Sequence, residues 1–291
     1  MKAAPFDYLR AETLAHALEL LGQHGGDAKL LAGGQSLVPM MSMRLVRPAL
    51  LVDIHRLQEL QGVRAEAGAF VTGGAVRQCT LEHDASLPAC MPLVAQALRW
   101  VGHEQTRNRG TVGGSLVHAD PSAELPLTAA TLNATLVLRN QAGERRLPAS
   151  DFFLGPMFTA TAEDECLAAI EWPRWTGGRV GSAFEEIAIR HGDFAMASAA
   201  AQVQLNDAGV CERAALGVGG VDGVPLALPR LAERLVGKLP MDDAVRAIAA
   251  DASRDCEPGN DMHASADYRR HLVTVLVGRV LRQALATARN H

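Results

Sequence analysis

Nowhere in the 291 residues do about 18 apolar residues run together, and positions 1–10 hold no long apolar core. Neither a membrane span nor a secretory leader is therefore expected, and the chain reads as a cytoplasmic protein. Basic residues form no stripe. Lys and Arg number 28 against 32 Asp and Glu, a net charge of −4, which argues against nucleic acid or an anionic membrane as partner. Cys79, Cys90, Cys166, Cys211 and Cys256 are scattered singly, with no C-x-x-C pair. That spacing argues against a zinc ribbon or an iron–sulfur cluster carried by this chain alone, and leaves buried free thiols as the expected fate of most. The G-x-G-x-x-G of a Rossmann site and the Gly-Lys-Ser/Thr ending of a P-loop are both missing. So are a Ser/His/Asp or paired-carboxylate constellation, a long-range repeat and any low-complexity segment. With 48% hydrophobic and 21% charged residues, the composition is globular, and the length suffices for two domains.

What the chain does have is a pair of matched turns. Ala32, Gly33, Gly34, Gln35, Ser36 and Leu37 follow the apolar residues Leu30 and Leu31. Far downstream, Gly110, Thr111, Val112, Gly113, Gly114, Ser115 and Leu116 repeat the scheme of a glycine pair followed by serine. Glycine admits positive φ and lets a ligand approach with no Cβ in the way. Successive main-chain N–H groups in such turns form a nest for an anion, and a following helix adds its dipole. Two such turns meeting in space would grip something large and anionic. A dinucleotide diphosphate fits.

The surrounding pattern places these turns on elements. Leu14, Ala17, Leu18 and Leu21 recur at helical spacing, stopped by Gly25 and Gly26. Strands are expected over 29–31 and 50–54, and a helix over 40–44. Phe70, Val71 and Thr72 run into Gly73 and Gly74, a third strand-glycine passage that reads as a strand end or bulge. A helix over 91–100 sets Leu93, Ala97 and Trp100 on one side, and Gly102 ends it. Arg107 and Arg109 abut the second turn. Bracing it is the first reading and contact with a ligand anion the second. Asp120 or Ser122 suits an N-cap for an alanine- and leucine-rich helix reaching 133, while Asp120 equally suits a carboxylate accepting bonds from ribose hydroxyls. His118 shows no partner and is not counted as catalytic. Strands follow over 134–139 and 166–171, and Pro173, Gly177 and Gly178 mark a boundary. Beyond it, strands over 182–190, 199–205 and 212–218 are expected, with a hairpin at Asp207, Ala208 and Gly209. Helices are expected over 231–236 and 241–250. A last one starts at about 265, with Tyr268, Leu272, Leu276 and Val280 as its core stripe.

The two turns carry a resemblance. The sequence resembles the medium, FAD-binding subunits of molybdenum hydroxylases, the family of the carbon monoxide dehydrogenase flavoprotein and the xanthine dehydrogenase flavin domain, over nearly its whole length. Residues 32–37 look like that family's first diphosphate turn. Residues 107–116 look like its second, with His118, Ala119, Asp120 and Pro121 continuing the signature. Asp151, Phe152, Phe153, Leu154 and Gly155 are similar to the passage before the last strand of the flavin domain, and 261–270 to the start of the final helix. The resemblance implies an α+β fold of the PCMH/vanillyl-alcohol-oxidase-like type. A two-subdomain FAD-binding domain would cover 1–175 (about 1–57 and 58–175). A smaller C-terminal α+β domain with a three-stranded sheet and helices would cover 179–291, with FAD between the two domains.

By carry-over, Ala32, Gly33, Gly34, Gln35, Ser36 and Leu37 and then Thr111, Val112, Gly113, Gly114 and Ser115 wrap the diphosphate. Asp120 would sit near the ribose end and Leu167 near the flavin ring. No catalytic side chain and no metal ligand is implied. A large molybdopterin subunit and a small [2Fe–2S] subunit would be partners, as a dimer of heterotrimers, a heterohexamer. The chain would take electrons from the clusters and pass them to an external acceptor. The scattered cysteines agree with that division of labour and argue against the benzoyl-CoA-type branch, whose flavin subunit carries an added cluster. Relatives often read Tyr-Glu-Lys-Phe where this chain has Phe184, Glu185, Glu186 and Ile187. A carboxylate beside the flavin would disfavour its anionic reduced form and lower its potential, and side chains facing solvent would do neither. The alternatives are a self-contained FAD oxidoreductase with its own small organic substrate, and a flavin-free scaffold, which two intact glycine turns disfavour.

Overall fold

In the computed structural model, which describes residues 2–290, three larger sheets follow one another along the chain, and a two-stranded pair, Phe153–Gly155 with Phe158–Thr159, stands beside them. The first of the three is parallel. Strand Leu50–Asp53 lies between Asp7–Arg10 and Ala28–Leu31, in register from Leu50 beside both Asp7 and Ala28 to Asp53 beside both Arg10 and Leu31. Helix Leu14–His24 covers it. Thr13 caps this helix by accepting the His16 amide at 3.1 Å, and Leu14, Ala17, Leu18 and Leu21 join Leu50 and Val52 in one apolar cluster. All three strands point the same way, so the crevice at their carboxyl ends opens where Leu31 runs into the first glycine turn.

The second sheet has five antiparallel strands in the order Val63–Ala65, Ala69–Gly73, Cys166–Pro173, Thr135–Asn140 and Gly143–Pro148. Helices Pro92–Leu98, Val112–His118 and Glu124–Leu132 contribute to its core, in which Trp172, Phe70 and Phe152 are fully buried. The indole of Trp172 donates to Thr72 Oγ1 at 3.0 Å, so the largest core side chain leaves no polar atom unpaired.

The third sheet is a meander of Arg179–Ile187, Ala197–Leu205 and Cys211–Gly219, which a two-residue strand, Leu226–Ala227, extends to four. Every residue of Ala197–Leu205 is buried, because both faces of the sheet are covered. One face carries the C-terminal helix Ala266–Asn290. There Gly181 lies so close to the Ala284 carbonyl that a Cβ would collide with it. The other face meets helices Pro92–Leu98 and Glu124–Leu132 of the preceding half. Gln96 stitches this junction. Its amide donates to Ser182 O and Oγ at 3.1 and 3.0 Å, and its carbonyl accepts the Phe184 amide at 3.1 Å.

Three local expectations change. The helix after the first turn is Leu37–Ser42 rather than 40–44, and Arg44, at φ 60°, stands beyond its end in the left-handed region. Helix Glu124–Leu132 takes Ala123 as N-cap with no side-chain cap, because the Asp120 carboxylate instead accepts the Ser122 amide at 2.9 Å. Tyr268 is exposed, while Leu272, Leu276 and Val280 hold the stripe expected of them. The stripe begins one turn later than its spacing suggests.

Candidate functional site

The two glycine turns meet. A Cβ on Gly33 would collide with the Arg109 carbonyl and lie 2.8 Å from Gly110 Cα. The first turn is therefore seated directly on the entry to the second. Gly113 is packed in the same way against Gly74, and Gly74 against the Leu167 carbonyl. A single file of backbone contacts thus joins 32–37, 110–115, 73–74 and Leu167. The third glycine passage, read from sequence as a mere strand end, is the platform under the second turn. Its signal was the recurrence of a strand followed by a glycine pair.

The turns differ in what they offer a ligand. In the first, Gly34 has φ 72°, Gln35 Nε2 folds back onto Gly33 O at 3.1 Å, and Gly34 and Ser36 carbonyls accept the Val38 and Met40 amides. The amides of Gly33, Gly34, Gln35 and Ser36 donate to no protein acceptor among the described residues. Successive free N–H groups around a left-handed glycine form an anion nest. In the second turn the donors are already used. Val112 N donates to Val76 O at 2.9 Å, Gly113 N to Gly74 O at 3.0 Å, Gly114 N to Thr111 Oγ1 at 3.1 Å and Ser115 N to Thr111 O at 3.1 Å. The expectation of two equivalent nests is corrected accordingly. One turn supplies amides, and the other supplies an exposed glycine surface at Gly114 with a Ser115 hydroxyl beside it. Neither Ser36 Oγ nor Ser115 Oγ has a protein partner among the described residues. Ala32 and Leu37 flank the nest, partly buried, and Thr111 and Val112 are buried as the cap and first residue of helix Val112–His118.

Arg107 braces. Its Nε donates to Glu82 at 2.8 Å and its Nη1 to the Val101 carbonyl at 3.0 Å, which commits the guanidinium to protein. At the carboxyl end of the parallel sheet, Asp53 accepts the Tyr8 hydroxyl, the His55 amide at 2.9 Å and His55 Nδ1 at 2.7 Å. Burial pushes this carboxyl up, but those hydrogen bonds outweigh it and hold the group below its ordinary value.

Asp120 lies apart from the glycine file, beyond the far end of the seven-residue helix Val112–His118, about 10 Å along its axis. It stands with Glu124 at the junction with the C-terminal sheet. Leu167 is buried in the core at a register shift of its strand, so its carbonyl, against Gly74, is the part tied to the site. A cleft of about 330 Å³ opens at the rim of the same junction. It is lined by Asp222, Glu257 and Asp261, and its one guanidinium, Arg269, is spent on Asp261 and the carbonyls of Met196 and Gly220. Such an acidic lining disfavours a diphosphate there.

Glu186 was not foreseen as a buried group. It is 5% exposed, its Oε2 has no partner, and burial with the nearby charge of Glu124 pushes its carboxyl up to about 9. Glu124 is itself pushed up to about 7, chiefly by burial and also by the charge of Asp120, against the pull of its own backbone amide and of Arg107. Burial thus favours the neutral form of Glu186 over the anion considered from sequence. No group of three or more His, Cys, Asp or Glu suited to a metal ion occurs among the described residues.

The chain is similar to known proteins over most of its length. Residues 4–175 match the family model described as the FAD binding domain in molybdopterin dehydrogenase, and 182–284 match the CO dehydrogenase flavoprotein C-terminal domain. The 6-hydroxypseudooxynicotine dehydrogenase complex subunit alpha of Paenarthrobacter nicotinovorans is 36% identical, covering 99% of this chain and 97% of that one. The carbon monoxide dehydrogenase medium chain of Hydrogenophaga pseudoflava is 37% identical, covering 97% and 96%. A solved carbon monoxide dehydrogenase from H. pseudoflava superposes with a TM-score of 0.95 at 35% identity, covering 99% of each chain.

Proposed function

The chain belongs to the family of FAD-binding medium subunits of molybdopterin dehydrogenases, and from that premise we propose that it is the electron-transfer flavoprotein of a heteromeric molybdenum hydroxylase. The observation that carries this reading is the seating of Gly33 on Arg109 and Gly110, which joins a free amide nest to the second turn. FAD fits that cradle. The four unpartnered amides and the hydroxyls of Ser36 and Ser115 match the acceptor oxygens of a diphosphate.

When bound, FAD supplies the redox couple, taking electrons from [2Fe–2S] clusters of a small partner subunit and yielding them to an external acceptor. This chain's residues bind and orient it. Ala32, Gly33, Gly34, Gln35, Ser36 and Leu37 hold the diphosphate from one side, and Thr111, Val112, Gly113, Gly114 and Ser115 shape the other. The buried Thr111 keeps the second turn in place by capping it. Asp120 is read as serving the ribose end and the Leu167 backbone as lining the ring end. No side chain is asked to act as general acid, base or nucleophile.

The boundaries that suit this role are a flavin-binding domain over 1–175, in subdomains about 1–57 and 58–175, and a C-terminal domain over 179–291. The partners are a large molybdopterin subunit and the small cluster subunit, in a dimer of heterotrimers. No helix among the described residues is long and apolar enough to cross a membrane. Five free thiols suit a reducing compartment, and we place the complex in the cytoplasm. Co-expression with both partners should give one complex holding FAD, molybdenum and iron. An active, metal-free flavoenzyme made from this chain alone would replace this reading with that of a self-contained FAD oxidoreductase.

A further inference from the structure

Three guanidinium groups belong to the segments around the entry to the second turn, and two are committed to protein. Arg107 donates to Glu82 and to the Val101 and Gly102 carbonyls. Arg77, whose backbone bridges to Thr111, donates to the Asn108 carbonyl. Beyond the first turn, Arg44 and Arg47 donate to the carbonyls of Lys2 and Arg44. Arg109 differs from all of these. It is exposed, and its guanidinium makes no hydrogen bond and no ion pair among the described residues.

The backbone beneath this free head is pinned. Gly110 N donates to Thr106 O at 2.6 Å, Gly110 O accepts the Gln78 amide at 2.9 Å, and Asn108 O accepts Arg77. The Arg109 carbonyl is the group that a Cβ on Gly33 would strike, with the carbonyl carbon 3.0 Å from that Cβ. Adding a bond of about 1.5 Å at either side puts Arg109 Cα within about 6 Å of Gly33 Cα. An extended arginine carries its guanidinium about 6 Å from its own Cα. The head therefore reaches a ligand seated on the amides of the first turn.

Net charge is what that nest lacks. Its free amides are dipoles and its serine is neutral, whereas a dinucleotide diphosphate is a full dianion. Asp53, in register with Leu31 at the end of the same sheet, is held ionised by Tyr8 and His55 and so adds negative charge. We propose that Arg109 is a binding residue for the diphosphate, its guanidinium folding over the anion held by the first turn. The planar fork meets two phosphate oxygens at once, adding charge-assisted hydrogen bonds to those of the amides. This rests on the reading that the first turn holds the diphosphate of FAD. Arg109 also ends helix Glu104–Arg109, where a cation complements the helix dipole, a role that needs no ligand.

The test titrates FAD, followed by flavin fluorescence, and inorganic pyrophosphate, followed by calorimetry, into the full chain freed of flavin. Arg109→Gln should weaken both ligands roughly 5- to 30-fold at low salt and leave the denaturant midpoint near that of wild type. At about 1 M salt, where screening acts within about 3 Å, the gap should narrow. Arg109→Lys, which keeps the charge, should recover part of the loss. Wild-type affinity of Arg109→Gln for both ligands would overturn the proposal. So would a variant that loses stability but not pyrophosphate binding, the mark of a helix-end role alone. In the wild type, the Arg109 Nε–H resonance should shift as pyrophosphate is added. A resonance unmoved at saturation would overturn the proposal even where the variants fail to fold. Arg109-dependent pyrophosphate binding by a chain that takes up no FAD would keep this contact and defeat the FAD reading. FAD binding wild type and Arg109→Gln alike would do the reverse.

Discussion

Ser36 and Ser115 each present a hydroxyl with no protein partner among the described residues, on the two turns we propose to hold the diphosphate. Each side chain should contribute one hydrogen bond to the diphosphate, about 0.5–1.5 kcal/mol, so Ser36→Ala and Ser115→Ala should each weaken FAD binding roughly 2- to 10-fold in a fluorescence titration. A double variant binding FAD as tightly as wild type would move the diphosphate elsewhere. Glu186 gives a second prediction, on stability. Its native value of about 9 lies above the ordinary 4.5, so the folded state holds a proton that the unfolded state has lost. The stabilisation from this group is complete below about pH 4.5, is lost progressively as pH rises toward about 9, and is constant beyond. Over that window its slope approaches 1.4 kcal/mol per pH unit, about one proton's worth. Urea unfolding at several pH values should show this slope in wild type and not in Glu186→Gln. Asp53 runs the other way. Its depressed value makes its contribution present above the ordinary carboxylate range and lost on acidification.

Among the elements, the turns that make the site are held by contacts that tolerate no added carbon. Gly33→Ala drives a methyl into the Arg109 carbonyl, and the cost of such overpacking, about 1–3 kcal/mol, should appear as a 5- to 150-fold loss of FAD affinity. Gly74→Ala presses on the Leu167 carbonyl in the core and should instead lower the stability of the whole chain, read from its denaturant midpoint. Thr111→Ala removes the cap on Gly114 N and should cost about 1 kcal/mol of stability. The elements legible in the sequence were those with a strong period or a clear stop. Leu14, Ala17, Leu18 and Leu21 announce their helix by spacing alone, and Gly25 ends it. Strand Gly143–Pro148 was illegible because Gly-Glu-Arg-Arg looks like a solvated turn; it is an exposed edge strand recruited by backbone pairing with Thr135–Asn140. Strand Asp7–Arg10 exists only through parallel pairing with the distant Leu50–Asp53. Neither has a buried alternating face to write into the sequence.

At the scale of the whole molecule, the same logic separates what the sequence could say of the site from what it could not. Glycine pairs at 33–34 and 113–114 are local signals, and they named the two turns. Their mutual contact, the use of Gly74 as a platform and the burial of Glu186 all depend on how distant segments pack. The second turn shows the limit best. Its spacing suggested a nest, but its amides are consumed by Val76, Gly74 and Thr111, partners that only the folded chain brings near.

The proposed role of the two glycine turns, one supplying amides and one supplying surface, is to hold FAD in this chain. Its most direct measurement is to purify the full-length protein, release any yellow cofactor by denaturation and identify it by chromatography. FAD, at close to one per chain and lost from Gly33→Val, is the predicted result. FMN, or a colourless folded protein that cannot be reconstituted with FAD, would contradict the account.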